Sequence, residues 1–283
     1  MSTTNTTIMT NRESSTHEQL VDRVRGTVEA HSRLIGVLEP GDAIPTDTDR
    51  LVVIGGDGTL LSTLRTNLDR GVPVLGVNAG RLGVLAEFDA ESLEANAAMV
   101  FGERPLVREH LVVEVSILDR GGEERFRTVA VNDCVVSAGT PFRMIELSLR
   151  IDQTEGPSIN GDGLIVASPI GSTAYNVSAG GPIVQPTVDA MIISAVAPHS
   201  LAFRPIVADA QTVIEVGIKR ANEGTTLVLD GQETHPLAED ERLIFQRYRD
   251  DARLIGNPDS PYWNTLIEKM RWGAPPTYRD RGT

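Results

Sequence analysis

The chain has 283 residues, of which 40% are hydrophobic and 23% are charged, and its formal net charge at pH 7 is −13. This length predicts two domains that can each bury a core. The negative charge argues against nucleic-acid binding, because nucleic-acid phosphates would be repelled. No apolar run approaches the roughly 20 residues needed to cross a membrane, so we predict no membrane partner.

Cysteine and lysine are both rare in this chain. Cys134 is the single cysteine, which excludes an internal disulfide and, without a signal-peptide pattern, predicts a cytoplasmic protein. Only Lys219 and Lys269 are lysines, and every other basic residue is arginine or histidine. An acidic chain with so little lysine is typical of salt-accumulating organisms, which predicts a halophilic source. A GC-rich genome that encodes arginine for lysine is the alternative.

The first hundred residues predict a Rossmann-like α/β domain over residues 16–105, preceded by a disordered polar tail at 1–15. An amphipathic helix is expected from His17 to about Leu34. The buried strands 51–55 and 72–77 follow, and helices are expected after them, to about residue 69 and over 91–101. Strands that alternate with helices predict a parallel sheet, whose ligands bind at the carboxyl ends of the strands.

The first buried strand ends in Gly55-Gly-Asp-Gly-Thr59. Three glycines at the start of a helix let backbone amides approach a phosphate, and the helix adds a partial positive charge. A carboxylate in such a turn repels phosphate, so Asp57 indicates chemistry, as a base for a hydroxyl or a ligand for Mg²⁺. An ordinary tight turn remains the alternative when this motif is considered alone.

The second buried strand also ends in a glycine-rich tip, Asn78-Ala-Gly-Arg-Leu-Gly83. Both tips are expected at the same sheet edge. The predicted phosphate-binding residues are therefore Gly55, Gly56, Gly58, Thr59, Asn78 and Gly80. Arg81, Arg143 and Arg204 are the candidate cations nearby, and a surface salt bridge is the alternative role for Arg81 and Arg204.

After Pro105 the pattern changes to short β-rich runs separated by glycine and polar turns. They predict an antiparallel β-sandwich-like domain over residues 106–254. The runs are 111–118, 126–136, 145–151, 164–167, 213–218, 226–229 and 243–246. A closing helix is expected over Tyr262–Met270, with residues 255–283 packing back on the first domain.

The stretch 160–186 is dense in glycine and hydroxyl residues. Asp162 lies between glycines, which predicts an exposed carboxylate on a turn. Gly171-Ser-Thr-Ala-Tyr175 predicts a helix start with Ser172 or Thr173 as the cap, beside an aromatic side chain. Small donors next to an aromatic face suit a purine. A loop-rich β domain with turn glycines is the alternative.

These motifs together resemble the NAD kinase (ATP-NAD kinase) family over roughly four fifths of the chain. The resemblance rests on the two glycine-rich tips, on the 162–182 block, and on the order and spacing of shorter motifs. The shorter motifs are Asn132-Asp133, Pro198-His-Ser-Leu201, Arg204-Pro205 and Asp230-Gly-Gln232.

The resemblance implies transfer of the γ-phosphoryl group of ATP, or of polyphosphate, to the 2′-hydroxyl of the adenosine ribose of NAD. It implies that Asp57 is the general base, that Mg²⁺ or another divalent cation assists, and that the protein is a homodimer or homotetramer. The implied NAD-binding residues are Asp57, Gly58, Asn132, Asp133, Arg143, Asn160, Asp162, Thr173, Ala174, Tyr175, Asn176, Val177, Ser178 and Gln232. In the family, the positions of Asn160 and Asp162 sometimes contact NAD from a neighbouring subunit.

Two departures from the family pattern stand out. The family usually has Asn-Glu where this chain has Asn132-Asp133, which shortens the carboxylate by one methylene. The family also opens with a strand, whereas the polar tail here predicts that this first strand is missing.

Two other functions compete with this one. A lipid kinase of the diacylglycerol or sphingosine type shares the first glycine motif but does not explain the 162–182 block. A non-catalytic dinucleotide-binding regulator would not need the carboxylate of Asp57 beside phosphate.

Overall fold

A computed structural model describes residues 4–10, 15–80, 83–140 and 143–273 of the chain. The predicted tail at 1–3 and 11–14, the candidate cation Arg81, and the end of the closing segment at 274–283 lie outside these ranges. The chain forms two compact units. The first comprises Met1–Thr63, Val72–Arg108 and Leu254–Thr283, and the second comprises Leu64–Gly71 and Glu109–Arg253.

The helices are α1 (Ser15–His31), α2 (Asp57–Asn67), α3 (Ala90–Val100), α4 (Tyr175–Ser178) and α5 (Tyr262–Asn264). Short 3₁₀ turns cover Leu68–Arg70 and Ile170–Thr173, and a π-helical turn covers Thr265–Lys269. The strands are β1 (Asn5–Thr10), β2 (Arg33–Leu38), β3 (Arg50–Gly55), β4 (Val74–Asn78), β5 (Val107–His110), β6 (Val113–Leu118), β7 (Glu124–Ala130), β8 (Asp133–Ser137), β9 (Ile145–Ile151), β10 (Thr154–Gly161), β11 (Gly163–Ala167), β12 (Ala190–Val196), β13 (Ile206–Asp209), β14 (Ile214–Arg220), β15 (Thr226–Leu229), β16 (Glu233–Pro236), β17 (Arg242–Arg247) and β18 (Ala252–Ile255).

The first unit is built on a sheet with strand order β2-β1-β3-β4-β18-β5. The pairs β1–β2, β1–β3, β3–β4 and β4–β18 are parallel, as predicted for an α/β domain. Apolar side chains of β3 and β4 pack with those of α1 and α3 in one buried cluster. Val24 of α1 and Leu93 of α3 are fully buried there.

Strand β1 corrects the prediction of a disordered tail and a missing first strand. Asn5–Thr10 lies between β2 and β3, and Ile8 is fully buried. The stretch looks polar because it is rich in threonine, but threonine is β-branched and favours strands. The Thr7 hydroxyl is satisfied internally by the hydroxyl of Thr48 at 2.8 Å.

Strand β2 corrects the predicted end of the first helix. Helix α1 ends at His31 and the chain enters β2 at Arg33, so Leu34 belongs to a strand. Leu34 happens to lie at the helical spacing from the apolar residues of α1, which is why the sequence pattern extended the helix too far. Their parallel pairing with β1 decides the conformation.

The second unit contains two six-stranded antiparallel sheets, ordered β10-β9-β14-β17-β6-β7 and β13-β12-β11-β8-β15-β16. Alternate residues of both sheets form one core, with Val115 of β6 and Leu147 of β9 from one sheet, and Val136 of β8 and Leu164 of β11 from the other. The predicted sandwich-like β fold is thus confirmed. Strands β5, β10, β12, β13, β16 and β18 were not among the predicted runs, and β5 and β18 belong to the sheet of the first unit.

None of the helices in the described ranges has the length and apolar character that a membrane span requires.

The buried position of β1 can be tested with Ile8→Ala. Deleting most of a fully buried side chain should lower the free energy of unfolding by about 2–5 kcal/mol, measured by denaturant titration. Ile267→Ala removes the same atoms from a side chain that is 53% exposed and should cost under about 1 kcal/mol. A negligible change in the free energy of unfolding for Ile8→Ala would contradict the buried strand and favour the original prediction of a disordered tail.

Candidate functional site

The two glycine-rich tips of the first unit lie side by side. Strand β3 ends at Gly55, β4 ends at Asn78, and these two residues are register partners. The amide of Ala79 donates to the carbonyl of Gly55 at 3.4 Å, and the amide of Gly80 donates to Oδ1 of Asn78 at 3.1 Å. The predicted phosphate-binding residues of both tips are therefore neighbours at the carboxyl edge of the parallel sheet.

Asp57 is the first residue of α2, and its carboxylate is held by three consecutive backbone amides. Val84 donates to Oδ2 at 2.8 Å, while Leu85 and Ala86 donate to Oδ1 at 3.1 and 3.2 Å. The side chain is therefore fixed in direction, although the residue is only half-buried. Donors among the described residues use three of its roughly four lone-pair positions, and the fourth position is on Oδ2.

Gly83 is needed beside this carboxylate. A Cβ built at Gly83 would overlap Oδ1 of Asp57. The turn can deliver three amides to one carboxylate only because its first residue has no side chain. Gly83 closes the second glycine-rich motif, but the motif alone does not indicate this close approach to Asp57.

A cavity of about 330 Å³ in the second unit collects several predicted NAD-binding residues. Strand β8 explains why, because side chains of a strand alternate between faces. Cys134 and Val136 of β8 point into the sandwich core. Asp133 and Ser137 line the cavity instead. The other lining residues are Asn132, Val135, Ala174, Tyr175, Val228, Asp230 and Gly231.

Asp230 organises the turn that carries Asn132 and Asp133. Its Oδ1 accepts hydrogen bonds from the amides of Asn132 at 2.7 Å and Asp133 at 3.1 Å, and its Oδ2 accepts one from Val131 at 3.1 Å. Arg65 pairs with the same Oδ2 at 3.3 Å, and both of these side chains are at most 8% exposed. The Asp230-Gly-Gln232 motif was the available signal for Asp230, whereas nothing local in the sequence pointed to Arg65.

Two acceptor atoms in the cavity wall are buried without a hydrogen-bond partner among the described residues. They are Oδ1 of Asn132 and Oδ2 of Asp133. Burial, and then the negative charge of Asp230, raise the pKa of Asp133 to about 7, although the amide of Tyr175 opposes this. Burial also raises the pKa of Asp230 against the effect of its amide donors and Arg65. An unpaired buried acceptor is costly, so these atoms indicate a binding site for a ligand with donor groups.

Gly171 brings the α4 segment against this turn. A Cβ at Gly171 would overlap the carbonyl oxygen of Asn132. Ser168 adds a bond from its hydroxyl to the carbonyl of Val131 at 2.5 Å and accepts the amide of Gly171 at 3.1 Å. The predicted Ser172 or Thr173 cap is wrong, because the Ser172 hydroxyl bonds to the backbone of Val184 and that of Thr173 to Ile170.

Within α4, Tyr175 and Asn176 have opposite environments. Tyr175, one of the predicted NAD-binding residues, is 46% exposed and lines the cavity. Asn176 is fully buried, and its amide binds the carbonyls of Ser172 and Pro182 and the hydroxyl of Ser194. The side chain of Asn176 therefore supports the loop, so the predicted contact of this residue with NAD would have to come from its backbone.

The remaining predicted NAD-binding residues of the second unit are more scattered. Asp162 is exposed and lines a neighbouring cavity of about 220 Å³, which shares Tyr175 with the first. Gln232 accepts a hydrogen bond from Arg65 at 3.3 Å, and Arg143 is exposed. The residues that line neither cavity are Arg143, Asn160, Thr173, Val177, Ser178 and Gln232.

The raised pKa of Asp133 predicts a pH-dependent stability. The pKa of Asp133 is about 7 in the folded state and about 3.9 in an unfolded chain. The protonated side chain therefore contributes to the free energy of unfolding below about pH 4, and this contribution is lost as the pH rises to about 7. Asparagine does not titrate, so Asp133→Asn removes this pH-dependent loss of stability. The variant should therefore gain about 2–3 kcal/mol more over wild type at pH 8 than at pH 5, measured by denaturant unfolding.

Asn132→Ala is the matched control, because it alters the same turn without a titrating group. Its difference from wild type should stay constant between pH 5 and pH 8. If the free energy of unfolding of Asp133→Asn also differs from wild type by the same amount at pH 5 and pH 8, the raised pKa of Asp133 is contradicted.

Comparisons with known proteins show which family the chain resembles. The ATP-NAD kinase N-terminal domain model matches residues 5–104, and the C-terminal domain model matches residues 131–256. An NAD kinase of Desulforamulus reducens is 37% identical over 246 residues, covering 86% of this chain and 85% of the relative. One of Rhodopirellula baltica is 36% identical over 255 residues, covering 89% and 81%.

Solved structures extend the likeness to the fold. An NAD kinase from Archaeoglobus fulgidus, solved in complex with ATP, has a TM-score of 0.77 and 26% identity, covering 94% of this chain and 98% of that chain. Yeast NADH kinase, solved with NADH, has a TM-score of 0.85 at 22% identity, covering 99% and 90%, and supports the fold alone. The chain belongs to the NAD kinase family.

Proposed function

We propose that this chain transfers the γ-phosphoryl group of ATP to the 2′-hydroxyl of the adenosine ribose of NAD, giving NADP and ADP. Family membership supports the reaction. The observation that carries the proposal is the carboxylate of Asp57, oriented by three backbone amides beside two glycine-rich tips.

In this reaction Asp57 is the general base. The ribose oxygen forms a bond to the γ-phosphorus while the bond from that phosphorus to the bridging oxygen of ADP breaks. The hydroxyl proton passes to Oδ2 of Asp57, whose remaining lone pair is not used by the amide of Val84. Because the amides hold the carboxylate in place, little reorganisation is needed when the proton moves.

The phosphates are held by backbone groups of the two tips. Gly56 and Gly58 are exposed, so their backbones are accessible at the start of α2. The N-terminal end of α2 favours negative charge, and Thr59 and Asn78 supply side-chain polar groups nearby. Gly55 and Gly80 leave room for the phosphates at this edge because they carry no side chain, while the amide of Gly80 holds Asn78 in place.

A divalent cation, Mg²⁺ being our first choice, enters as part of the nucleotide substrate. The described ranges contain no cluster of three or more acidic, cysteine or histidine side chains that fits a metal ion. In kinase sites Mg²⁺ is commonly bound by one or two carboxylates of the protein together with the substrate phosphates, so a cluster of three ligands is not required. It would neutralise charge on the transferred group.

The adenosine portion of NAD is recognised by the cavity of the second unit. Asn132 Oδ1 and Asp133 Oδ2 are unpaired buried acceptors there and suit hydroxyl or amino donors of the nucleoside. Tyr175 offers an exposed aromatic face for stacking. Asp162 lines the adjoining cavity and would contact the extended part of the dinucleotide.

We further propose that the protein is a homo-oligomer in the cytoplasm of a halophilic organism, for which an archaeon is the source that the sequence predicts. The net charge of −13 and the two lysines support the salt adaptation, and the free buried thiol of Cys134 suits a reducing compartment. The exposed apolar side chains of Ile206 and Val207 on the sheet-edge strand β13 support self-association.

The base role of Asp57 predicts the behaviour of Asp57→Asn. With ATP, NAD and Mg²⁺, its turnover in an NADP-formation assay should fall about 10²- to 10⁴-fold, because the hydroxyl proton loses its acceptor. Binding of NAD, measured by calorimetry, should remain within a few-fold of wild type.

The same assay separates the competing functions. If the wild-type chain were a lipid kinase or a non-catalytic regulator, it would form no NADP in this assay. Near-normal turnover of Asp57→Asn would remove the residue from the base role. Polyphosphate in place of ATP tests the second phosphoryl donor that the family resemblance implies.

The acidic charge predicts a salt requirement. Raising KCl from 0.1 M to about 2 M shortens the Debye length from about 10 Å to below 3 Å, which screens repulsion among surface carboxylates. The thermal unfolding midpoint and the turnover should both rise over this range. An unchanged midpoint with full activity at 0.1 M would count against a halophilic source.

A further inference from the structure

Lys269 contacts the turn that holds Asp57. It ends the π-helical turn Thr265–Lys269 in the first unit and is half-buried. Its Nζ donates to the carbonyl oxygen of Gly83 at 2.6 Å and lies 3.5 Å from that of Ala86. These two carbonyls lie at the two ends of the segment whose amides bind Asp57.

One peptide group joins the ammonium to the carboxylate. The carbonyl of Gly83, which accepts from Lys269, and the amide of Val84, which donates to Oδ2 of Asp57, belong to the same peptide unit. A cation at the oxygen polarises the unit and makes its N–H a stronger donor. The positive charge of Lys269 thus reaches Asp57 through a fixed dipole and without direct contact.

We propose that Lys269 is a positioning residue that fixes the Gly83–Ala86 turn and, through it, the direction of the Asp57 carboxylate. This inference rests on the proposed base role of Asp57. The closing segment thus takes part in the reaction indirectly, because the ammonium of Lys269 bonds to backbone carbonyls of the turn and not to a substrate. The effect is expected in turnover, because the nucleoside-binding cavity belongs to the other unit.

A purely structural role for Lys269 would involve Glu87. Lys269 lies close enough to lower the pKa of Glu87, whose burial is the larger effect and raises it. Glu87, however, already pairs with Arg108 at 2.5 Å and accepts the amide of Asn257 at 2.8 Å. The 2.6 Å bond to Gly83 makes the turn the main partner of Lys269.

The test combines Lys269→Met with Asp57→Asn in the NADP-formation assay. Lys269→Met should lower kcat about tenfold, the loss expected for one charge-assisted hydrogen bond, with KM for NAD within twofold of wild type. In the Asp57→Asn background the same change should alter residual turnover less than about twofold, because there is no carboxylate base left to position.

Two further variants keep the test decisive. Lys219→Met removes the other lysine, which is exposed at the end of β14, and should leave kcat unchanged. If Lys269→Met does not fold, Lys269→Arg and Lys269→Gln replace it, with the arginine variant near wild type and the neutral glutamine variant several-fold lower in kcat.

Specific outcomes would overturn the inference. They are an unchanged kcat in Lys269→Met, a rise in KM alone, equal kcat in the arginine and glutamine variants, or an undiminished loss in the Asp57→Asn background. A loss of turnover in Asp57→Asn but not in Lys269→Met would defeat this inference and leave the proposed reaction intact. Near-normal turnover in Asp57→Asn would defeat the base role itself.

Discussion

A carboxylate that collects three consecutive backbone amides is the interaction on which both halves of this protein depend. In the first unit the anion is Asp57 and the amides belong to Val84, Leu85 and Ala86. In the second unit the anion is Asp230, and its donors are the amides of residues 131–133. The first arrangement orients a reacting group, whereas the second shapes the turn that presents Asn132 and Asp133.

Each of these arrangements requires a glycine where a side chain would intrude. A Cβ at Gly83 would overlap the Asp57 carboxylate, and one at Gly171 would overlap the carbonyl of Asn132. Substituting either glycine would displace the polar group beside it and would not simply fill space. The glycines thus act through close approach of backbone to a functional turn, a role that differs from supplying an unusual backbone angle.

The sequence predicted what depends on local pattern and on motif. The buried strands β3 and β4 and the neighbouring glycine tips followed from short stretches of chain. The sequence did not predict the role of a side chain where that role depends on a partner distant along the chain. Asn176 looks like a polar contact until its amide is seen to be used by Ser194 and the loop backbone. Arg65 and Asp230 are 165 residues apart along the chain, and only the folded β unit shows them paired.

The site also shows how an acidic protein can receive anionic substrates. The chain carries a net charge of −13, so its long-range field repels phosphates, yet the glycine-rich tip Gly55–Gly58 presents the backbone amides of a helix N-terminus. These uncharged donors act at hydrogen-bond distance, where salt hardly screens them, whereas the repulsive field extends over about a Debye length and shrinks as salt rises. Binding through dipoles therefore improves under the same conditions that relieve surface repulsion. A site built on surface lysines would lose its attraction in those conditions.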